Sequence, residues 1–217
     1  MFSSIFVATP THICKSYCAA EFTRATYDHC RKYGAAHYVA CNSRGDAFKY
    51  YSNPPGVIYT HHPELGTAFS GSQDSIHRRI TATMQFLRAC FLNGDWEWFL
   101  SLEADVIINE KTVQSMLDCG QRVVHSNCYH GFHACGTGKV DRITLGCTLI
   151  HRSVLEPIHF RYDPKILGAF HDAFFAIDCL NSNIPIWYDE SITVEHRHTD
   201  AGQRGWERLP SGERRTW

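Results

Sequence analysis

The strongest constraint on the fold is the stretch 96–107, a mainly aromatic and apolar run that leads into two acids near its end. Its length, and the turn-forming residues 93–95 before it, predict a strand buried on both faces of a parallel sheet. Glu103 and Asp105 would then stand at the carboxyl end of this strand, where open α/β sheets place their ligand crevices. On an extended chain the two side chains point the same way, and hard divalent cations prefer carboxylate oxygens. The stretch therefore predicts a cation site, with two solvated acids as the simpler alternative.

The overall composition is that of an ordinary globular protein. The 217 residues, 44% hydrophobic and 20% charged, are enough for one substantial core. The net charge of −1 argues against a protein that binds nucleic acid by bulk electrostatics. No apolar run approaches the roughly 20 residues that span a bilayer, and the first residues lack the basic region of a signal peptide. We therefore expect a cytoplasmic protein with reduced cysteines, no membrane span and no nucleic-acid partner.

Hydrophobic periodicity predicts strands that alternate with helices in the first half of the chain and a mixed pattern later. Strands are predicted at 4–11, 37–41, 57–60, 96–107, 122–126, 142–151, 184–188 and 192–198. Helices are predicted at 16–33, 75–92, 109–120, 153–157 and 169–181, the last with an apolar stripe of Phe170, Phe174, Ile177 and Leu180. Segments 63–74 and 128–138 are predicted loops. This order predicts a single α/β domain with helices flanking a mixed, mostly parallel sheet.

Six segments carry a further resemblance: Val7–Thr11, the helix opened by Arg78 and Arg79, Phe99–Val106, Leu145–Ile150, His171–Phe175 and Val194–His198. Their order resembles the GT-A fold of nucleotide-sugar glycosyltransferases, a Rossmann-like fold, over nearly the whole chain. Glu103–Asp105 stands in the place of the family's D-x-D motif. The compact size is similar to that of the capsid-glycan glycosyltransferases of large algal viruses, for which the location would be the host cytoplasm.

The resemblance implies a metal-dependent transfer of a sugar from a nucleoside diphosphate sugar to a glycan or glycoprotein acceptor. The expected donor is a UDP-hexose, and Mn²⁺ (or Mg²⁺) would neutralise the leaving diphosphate. Residues 1–108 would form the nucleotide-binding half and residues 109–198 the acceptor and catalytic half. The segment 199–217 would be a tail or a lid.

The resemblance also assigns metal ligands. Asp105 would bind the metal directly, and Glu103 would contact the ribose or a metal-bound water. Glutamate is one methylene longer than the family's aspartate, which leaves the contact of Glu103 open. His196 and His198 follow the last strand, where GT-A enzymes often place a further metal ligand. A nitrogen ligand favours Mn²⁺ over Mg²⁺.

Further residues are assigned to the substrates by the same resemblance. Thr9 and the neighbouring backbone would cradle the nucleotide base. Arg78 or Arg79 would contact the base or the phosphates, because cations in the first turn of a helix oppose its dipole and suit an anionic partner. Asp172 stands where inverting members keep the catalytic base. It could equally be a carboxylate that stabilises a helix N-terminus, and in a retaining enzyme it would orient the donor or the acceptor.

Three other functions compete with this interpretation. A sugar-phosphate nucleotidyltransferase shares the layered sheet and a metal-bound acid, but its glycine-rich basic loop is replaced here by Thr9–His12. A non-catalytic glycan-binding domain could keep the same fold. A zinc protein could use the cluster of cysteines and histidines at 128–135, although this cluster lacks the C-x2-C spacing of a convincing zinc site.

Overall fold

The computed structural model describes residues 4–42, 57–62, 73–128, 136–166 and 170–197. The strands are β1 (Ile5–Thr11), β2 (Ala36–Cys41), β3 (Val57–His61), β4 (Trp98–Leu102), β5 (Val106–Ile107), β6 (Val123–Asn127), β7 (Gly138–Val140), β8 (Cys147–His151), β9 (Ile186–Thr193) and β10 (Glu195–His196). The α-helices are α1 (Ala19–Cys30), α2 (Gln73–Leu92), α3 (Thr112–Asp118), α4 (Arg152–Leu155) and α5 (His171–Asn181). Short 3-10 helices at Ile13–Cys18 and Arg31–Tyr33 flank α1.

An eight-stranded sheet with the order β3-β2-β1-β4-β8-β6-β9-β7 forms the centre of the protein. The strands β3, β2, β1 and β4 pair in parallel, as do β6 and β9. β8 runs antiparallel to β4 and β6, and β7 runs antiparallel to β9. The predicted mostly parallel α/β sheet is therefore confirmed. The strand order reverses between β1 and β4, and ligands bind at such a switch point, beyond the carboxyl ends of the two strands.

The two faces of the sheet carry separate apolar cores because side chains alternate along each strand. On β1, Ile5 and Val7 enter one core, whereas Phe6 and Ala8 enter the other. The helix α2 covers the second face with fully buried residues: Met84, Leu87 and Phe91. The helices α1 and α3 cover the first face through Phe22 and Met116. Burial on both faces explains why β1 and β4 are almost continuously apolar in sequence.

The central stretch 96–107 is not the single strand that we expected. β4 ends at Leu102, and Glu103–Asp105 forms a tight turn that is closed by a 3.0 Å hydrogen bond from Val106 N to Glu103 O. β5 then pairs with β10 in a separate small antiparallel sheet. This turn leaves Glu103 partly exposed and Asp105 buried, so Asp105 needs polar partners, because an unpaired buried charge would be costly. The predicted burial of β4 on both faces is confirmed.

The predicted stripe on the fifth helix is confirmed at Phe174 and wrong at its other three residues. The residues that α5 buries are Phe174, Phe175, Ala176 and Cys179. Phe170, Ile177 and Leu180 are instead 43%, 42% and 46% exposed. The contact with Phe160 determines which face of α5 is buried. Phe175 stacks on Phe160, with ring centroids 5.4 Å apart. A helix with apolar residues on several sides does not reveal by its own periodicity which side meets the sheet.

Several predicted boundaries also change. The strands expected at 184–188 and 192–198 are mainly the single strand β9, and the strand expected at 142–151 is confined to Cys147–His151. The short strand β7 was not predicted. Most of the two predicted loops, at 63–74 and 128–138, lies outside the described residues. Within the described parts of the chain, every helix is too short or too polar to cross a bilayer.

Candidate active site

Three side chains suited to a divalent cation meet where β4 ends. Glu103, Asp105 and His196 each place one oxygen or ring nitrogen within 4.8 Å of the others. The turn after β4 supplies both acids, and the pairing of β10 with β5 brings in His196 from 91 residues further along the chain. Elsewhere in the described ranges, no group of three potential ligands lies this close together. His198, the other histidine predicted here, lies outside the described residues.

Asp105 is the buried centre of this cluster, with only 2% of its surface exposed. Its Oδ2 accepts hydrogen bonds from Lys15 Nζ and, at 3.2 Å, from Tyr17 OH. His196 Nε2 also lies 3.2 Å from Oδ2. Oδ1 is buried as well, but it has no hydrogen-bond partner in the parts of the chain that the structure describes. The two oxygens of one carboxylate are therefore in very different surroundings.

The electrostatic surroundings keep Asp105 ionised. Burial acts to raise its pKa, but the hydrogen bond with His196 and the charge of Lys15 outweigh burial and lower the pKa to about 2. A buried, ionised oxygen without a donor is costly, and such an atom calls for an explanation such as a bound ion. Two carboxylates and an imidazole form a donor set that suits Mn²⁺. The residues present therefore fit a divalent cation on the Oδ1 side of Asp105.

The small sheet that carries His196 is fixed to the first helix. Arg197 N donates to Asp105 O at 2.8 Å, and Tyr17 OH donates to Arg197 O at 3.1 Å. The Arg197 guanidinium binds Glu21 in the first turn of α1, with its Nε 3.1 Å from the carboxylate, and also binds Glu195. Together these contacts hold β10, and with it His196, against the acidic turn.

Near the carboxyl end of β1, the predicted substrate residues lie in different surroundings. Thr9 is fully buried, and its Oγ1 lies 2.9 Å from His37 Nε2. The pKa of His37 is lowered to about 3 by burial, so this interior pair is uncharged at neutral pH. Arg78 is exposed, whereas Arg79 is 7% exposed. The pKa of His12, just after β1, is lowered by burial and by the charge of Arg79, which places Arg79 near the carboxyl end of β1.

Asp172 lies in the first turn of α5, and its Oδ1 accepts a 2.8 Å hydrogen bond from Ala173 N. Burial raises the pKa of Asp172 even though backbone hydrogen bonds lower it. Burial also lowers the pKa of the adjacent His171 to about 4, and the charge of Glu103 opposes that shift. This interaction places the beginning of α5 beside the acidic turn. Phe170 stacks edge-on against His77 of α2, with ring centroids 4.3 Å apart.

Three residues of this site were not predicted from the sequence: Lys15, Tyr17 and His171. Lys15 and Tyr17 belong to the 3-10 helix that follows β1. Their closeness to β1 in the sequence could have predicted them, because the first turn after a central strand lies at the carboxyl edge of the sheet.

The alternative zinc site at 128–135 is described only at its first residue. Its Cys128 is buried with a strongly raised pKa because of that burial, and residues 129–135 lie outside the described ranges.

Comparison with known proteins supports the fold. No family model and no curated protein sequence matches the chain. A mycobacterial protein of known structure is 11% identical, with a TM-score of 0.59 over 94% of this chain and 70% of that chain. Residues 1–349 of S. aureus TarS in complex with UDP are 13% identical, with a TM-score of 0.58 over 88% of this chain and 59% of that chain. The same TarS fragment in complex with UDP-GlcNAc is 14% identical, with a TM-score of 0.54 over 89% of this chain and 60% of that chain.

These similarities, with the strand order described above, show that the chain has the GT-A fold of glycosyltransferases. The predicted fold is confirmed. The chain corresponds to only 36% of a longer TarS structure.

Proposed function

We propose that this protein is a metal-dependent glycosyltransferase that moves a sugar from a nucleoside diphosphate sugar to a glycan or glycoprotein acceptor. The observation that carries the proposal is the meeting of Glu103, Asp105 and His196 at the switch point of a GT-A sheet. The donor that we propose is a UDP-hexose. The TarS structures with UDP and with UDP-GlcNAc support this class of donor.

Asp105 would be the central metal ligand, because its Oδ1 is ionised, buried and without a donor among the described residues. Glu103 and His196 would complete the protein's share of the ligands, and His198 stays a candidate for a further position. A bound Mn²⁺ or Mg²⁺ supplies positive charge to the diphosphate as it leaves, without any transfer of a proton.

The nucleotide would lie across the carboxyl ends of β1 and β4. Arg79 lies near the end of β1 and would contact the phosphates or the base, whereas the exposed Arg78 is the weaker candidate. Thr9 would act through its backbone, since its side chain already pairs with His37 inside the core. The proposed nucleotide site would thus combine the charge of the buried Arg79 with main-chain groups near Thr9.

Asp172 would act as the general base of an inverting transfer. It would accept the proton of the acceptor hydroxyl while that oxygen bonds to the anomeric carbon. The bond from the anomeric carbon to the diphosphate oxygen breaks in the same step, and its electron pair leaves with the diphosphate. The raised pKa of Asp172, caused by burial, makes its ionised form a stronger base. The hydrogen bond from Ala173 N holds the carboxyl group in place.

A thermal-shift screen of nucleoside diphosphates, with and without Mn²⁺, tests this function. A ligand that binds only the native state stabilises it by about 2.7 kcal/mol at a hundred times its Kd. We expect UDP with Mn²⁺ to raise Tm clearly, and UDP alone to raise it much less. If no nucleoside diphosphate shifts Tm, the proposal is wrong. Nucleoside triphosphates in the same panel distinguish a nucleotidyltransferase, and free glycans distinguish a glycan-binding domain.

A further inference from the structure

We infer that Lys15 is an internal counter-ion that holds Asp105 when no metal is bound and moves to the diphosphate when a metal takes that carboxylate. Lys15 would therefore couple the binding of the metal to the binding of the nucleotide. This inference rests on the proposed function. It adds a residue that neither the D-x-D resemblance nor the cluster of metal ligands contains.

The first observation is the pairing itself. Lys15 Nζ contacts Asp105 Oδ2 from a position 90 residues earlier in the chain. The Asp105 side chain is 2% exposed, whereas the Lys15 side chain is 36% exposed. Removal of one partner from a buried ion pair is strongly destabilising, because it leaves a buried charge uncompensated. Lys15 therefore compensates the buried charge of Asp105, while part of its own side chain stays open to solvent.

The second observation is that the other two partners of Asp105 Oδ2 have further attachments. Tyr17 OH bridges Asp105 Oδ2 and the carbonyl oxygen of Arg197, and His196 is held in the β10 pairing. Lys15 instead carries a compact charge on a flexible four-carbon stem, which can reorient without any change in the backbone. Among these partners, Lys15 is the group best able to leave when a second cation arrives.

The third observation is the direction in which Lys15 would move. It belongs to the 3-10 helix Ile13–Cys18, which begins two residues after β1. A displaced ammonium group therefore stays tethered at the carboxyl end of β1, the edge on which a diphosphate would lie. Asp105 Oδ1, the oxygen without a donor in the described structure, would remain on the metal side. The metal would thus lie on the Asp105 carboxylate, and the displaced Lys15 would lie on the diphosphate.

A consequence follows for the order of binding. A metal that binds alone is opposed by the nearby positive charge of Lys15, because like charges in a partly buried site repel strongly. When the diphosphate is present, Lys15 gains a new anionic partner and no longer opposes the metal. Metal and nucleotide should therefore strengthen each other's binding, and thermodynamic linkage makes this coupling equal in both directions.

The test compares Lys15→Met with the wild type and with Lys15→Arg, which keeps the charge. Mn²⁺ affinity is measured from the electron paramagnetic resonance of free Mn²⁺, with and without UDP, and UDP affinity is measured by calorimetry. We expect Lys15→Met to bind Mn²⁺ alone about tenfold more tightly, and to bind UDP with Mn²⁺ about tenfold more weakly, which is ordinary coupling between two sites. Lys15→Arg should keep most of the coupling. Lys139→Met, at an exposed lysine, should behave like the wild type.

Each other outcome overturns the inference. If Lys15→Met binds Mn²⁺ alone no more tightly than the wild type, Lys15 does not compete with the metal. If the wild type binds UDP equally well without Mn²⁺ and Lys15→Met loses this binding, Lys15 itself is the cation for the diphosphate, and the metal dependence of the proposed function is wrong as well. If the wild type binds neither Mn²⁺ nor any nucleotide, the proposed function fails. If Lys15→Met does not fold, the wild type alone provides the test. UDP must then strengthen the binding of Mn²⁺, and the absence of this effect is sufficient to reject the inference.

Discussion

Two regions of this molecule bury charged side chains, and they satisfy those charges differently. Arg88, on α2, donates from Nε to the carbonyl oxygens of Leu155 and Ile158 at 2.7 and 2.9 Å, and from Nη2 to that of Glu156 at 3.0 Å. At the acidic turn, Asp105 has three polar groups on Oδ2 and, in the described structure, none on Oδ1. Arg88 makes three hydrogen bonds, while Asp105 leaves one oxygen without a donor.

Arg152, the first residue of α4, makes a similar set of contacts. Its guanidinium donates to the carbonyl oxygens of Leu92, Gly94 and Trp96, where α2 ends. Both arginines satisfy carbonyl groups that a helix end or the turn after it leaves without a partner. The contrast with Asp105 is that each arginine has acceptors supplied by a helix end, as a structural charge requires, whereas Asp105 keeps a buried oxygen without a donor among the described residues. Such an atom at a topological switch point is what the proposed ligand site would explain.

The largest expected effect is at Asp105. We expect Asp105→Ala to lower the affinity for UDP in the presence of Mn²⁺ by more than about a thousandfold, because it removes the central ligand of the metal. The protein should stay folded, because the half-exposed Lys15 can turn to solvent when its partner is lost. Calorimetric titration measures the binding, and Asp118→Ala, at an exposed acid, is the matched control. Unchanged UDP binding in Asp105→Ala would remove the metal assignment.

Asp172 combines the two roles that are compared here. Its carboxyl group is held by backbone hydrogen bonds, as a structural charge would be, and it is also the proposed base. Asp172→Asn should lower kcat by about 10²- to 10⁴-fold, the usual contribution of general-base catalysis, and leave donor affinity nearly unchanged. In the wild type, kcat should rise with pH through a value above the ordinary pKa of aspartate, because burial raises the pKa of Asp172. Steady-state kinetics over a pH series measures both effects. Equal losses in turnover and donor affinity would show that Asp172 only stabilises its helix.

Arg88 tests the structural half of the comparison. Arg88→Met should lower the free energy of unfolding by about 3 kcal/mol, because three carbonyl groups lose their donor in a buried place. Urea unfolding measures the change, and calorimetry should show normal UDP binding by the folded protein. Arg24→Met is the control, because the Arg24 side chain is 86% exposed and exposed ion pairs contribute about 0–1 kcal/mol. A large loss of UDP binding in folded Arg88→Met would contradict the division into structural and ligand-binding charges.

The smallest expected effect concerns His37, whose Nε2 contacts Thr9 and whose Nδ1 has no hydrogen bond within the described residues. Its folded pKa of about 3 lies below the unfolded value of 6.5, so the unfolded state binds the proton first as the pH falls. This stabilisation is complete above pH 6.5 and is lost as the pH falls towards 3. At pH 5 the loss is about 2 kcal/mol, to be measured by urea unfolding at several pH values. His37→Gln should flatten this dependence, and an unchanged slope would show that His37 is not its source.

Much of the fold could be predicted because its information is local. The apolar runs that became β1, β2 and β4 could be recognised from the sequence because strands buried on both faces need no polar alternation. The helix α2 was equally clear, because Ile76, Ile80, Met84, Leu87 and Phe91 recur at helical spacing. The last three are fully buried, whereas Ile76 is 37% exposed. The two acids after β4 could also be identified as candidates, because polar side chains at the end of a buried strand lie at the edge of the sheet.

Other features could not be read from local patterns. The face of α5 depends on the contact of Phe175 with Phe160, and periodicity within the helix does not contain that contact. The choice between Arg78 and Arg79 depends on which side of α2 meets the sheet. The turn at Glu103–Asp105 depends on the pairing of β5 with β10, a strand about 90 residues away.

The sequence by itself determined the layered α/β fold and the position of Asp105 just after the central strand β4, because both follow from hydrophobic runs and the polar residues that end them. Only the tertiary structure decided which groups surround that carboxylate. Lys15 and His196 reach Asp105 from positions 90 residues before it and 91 residues after it. The electrostatic environment of a site depends on the groups that are close to it in space. Strand pairing and packing decide which residues those are.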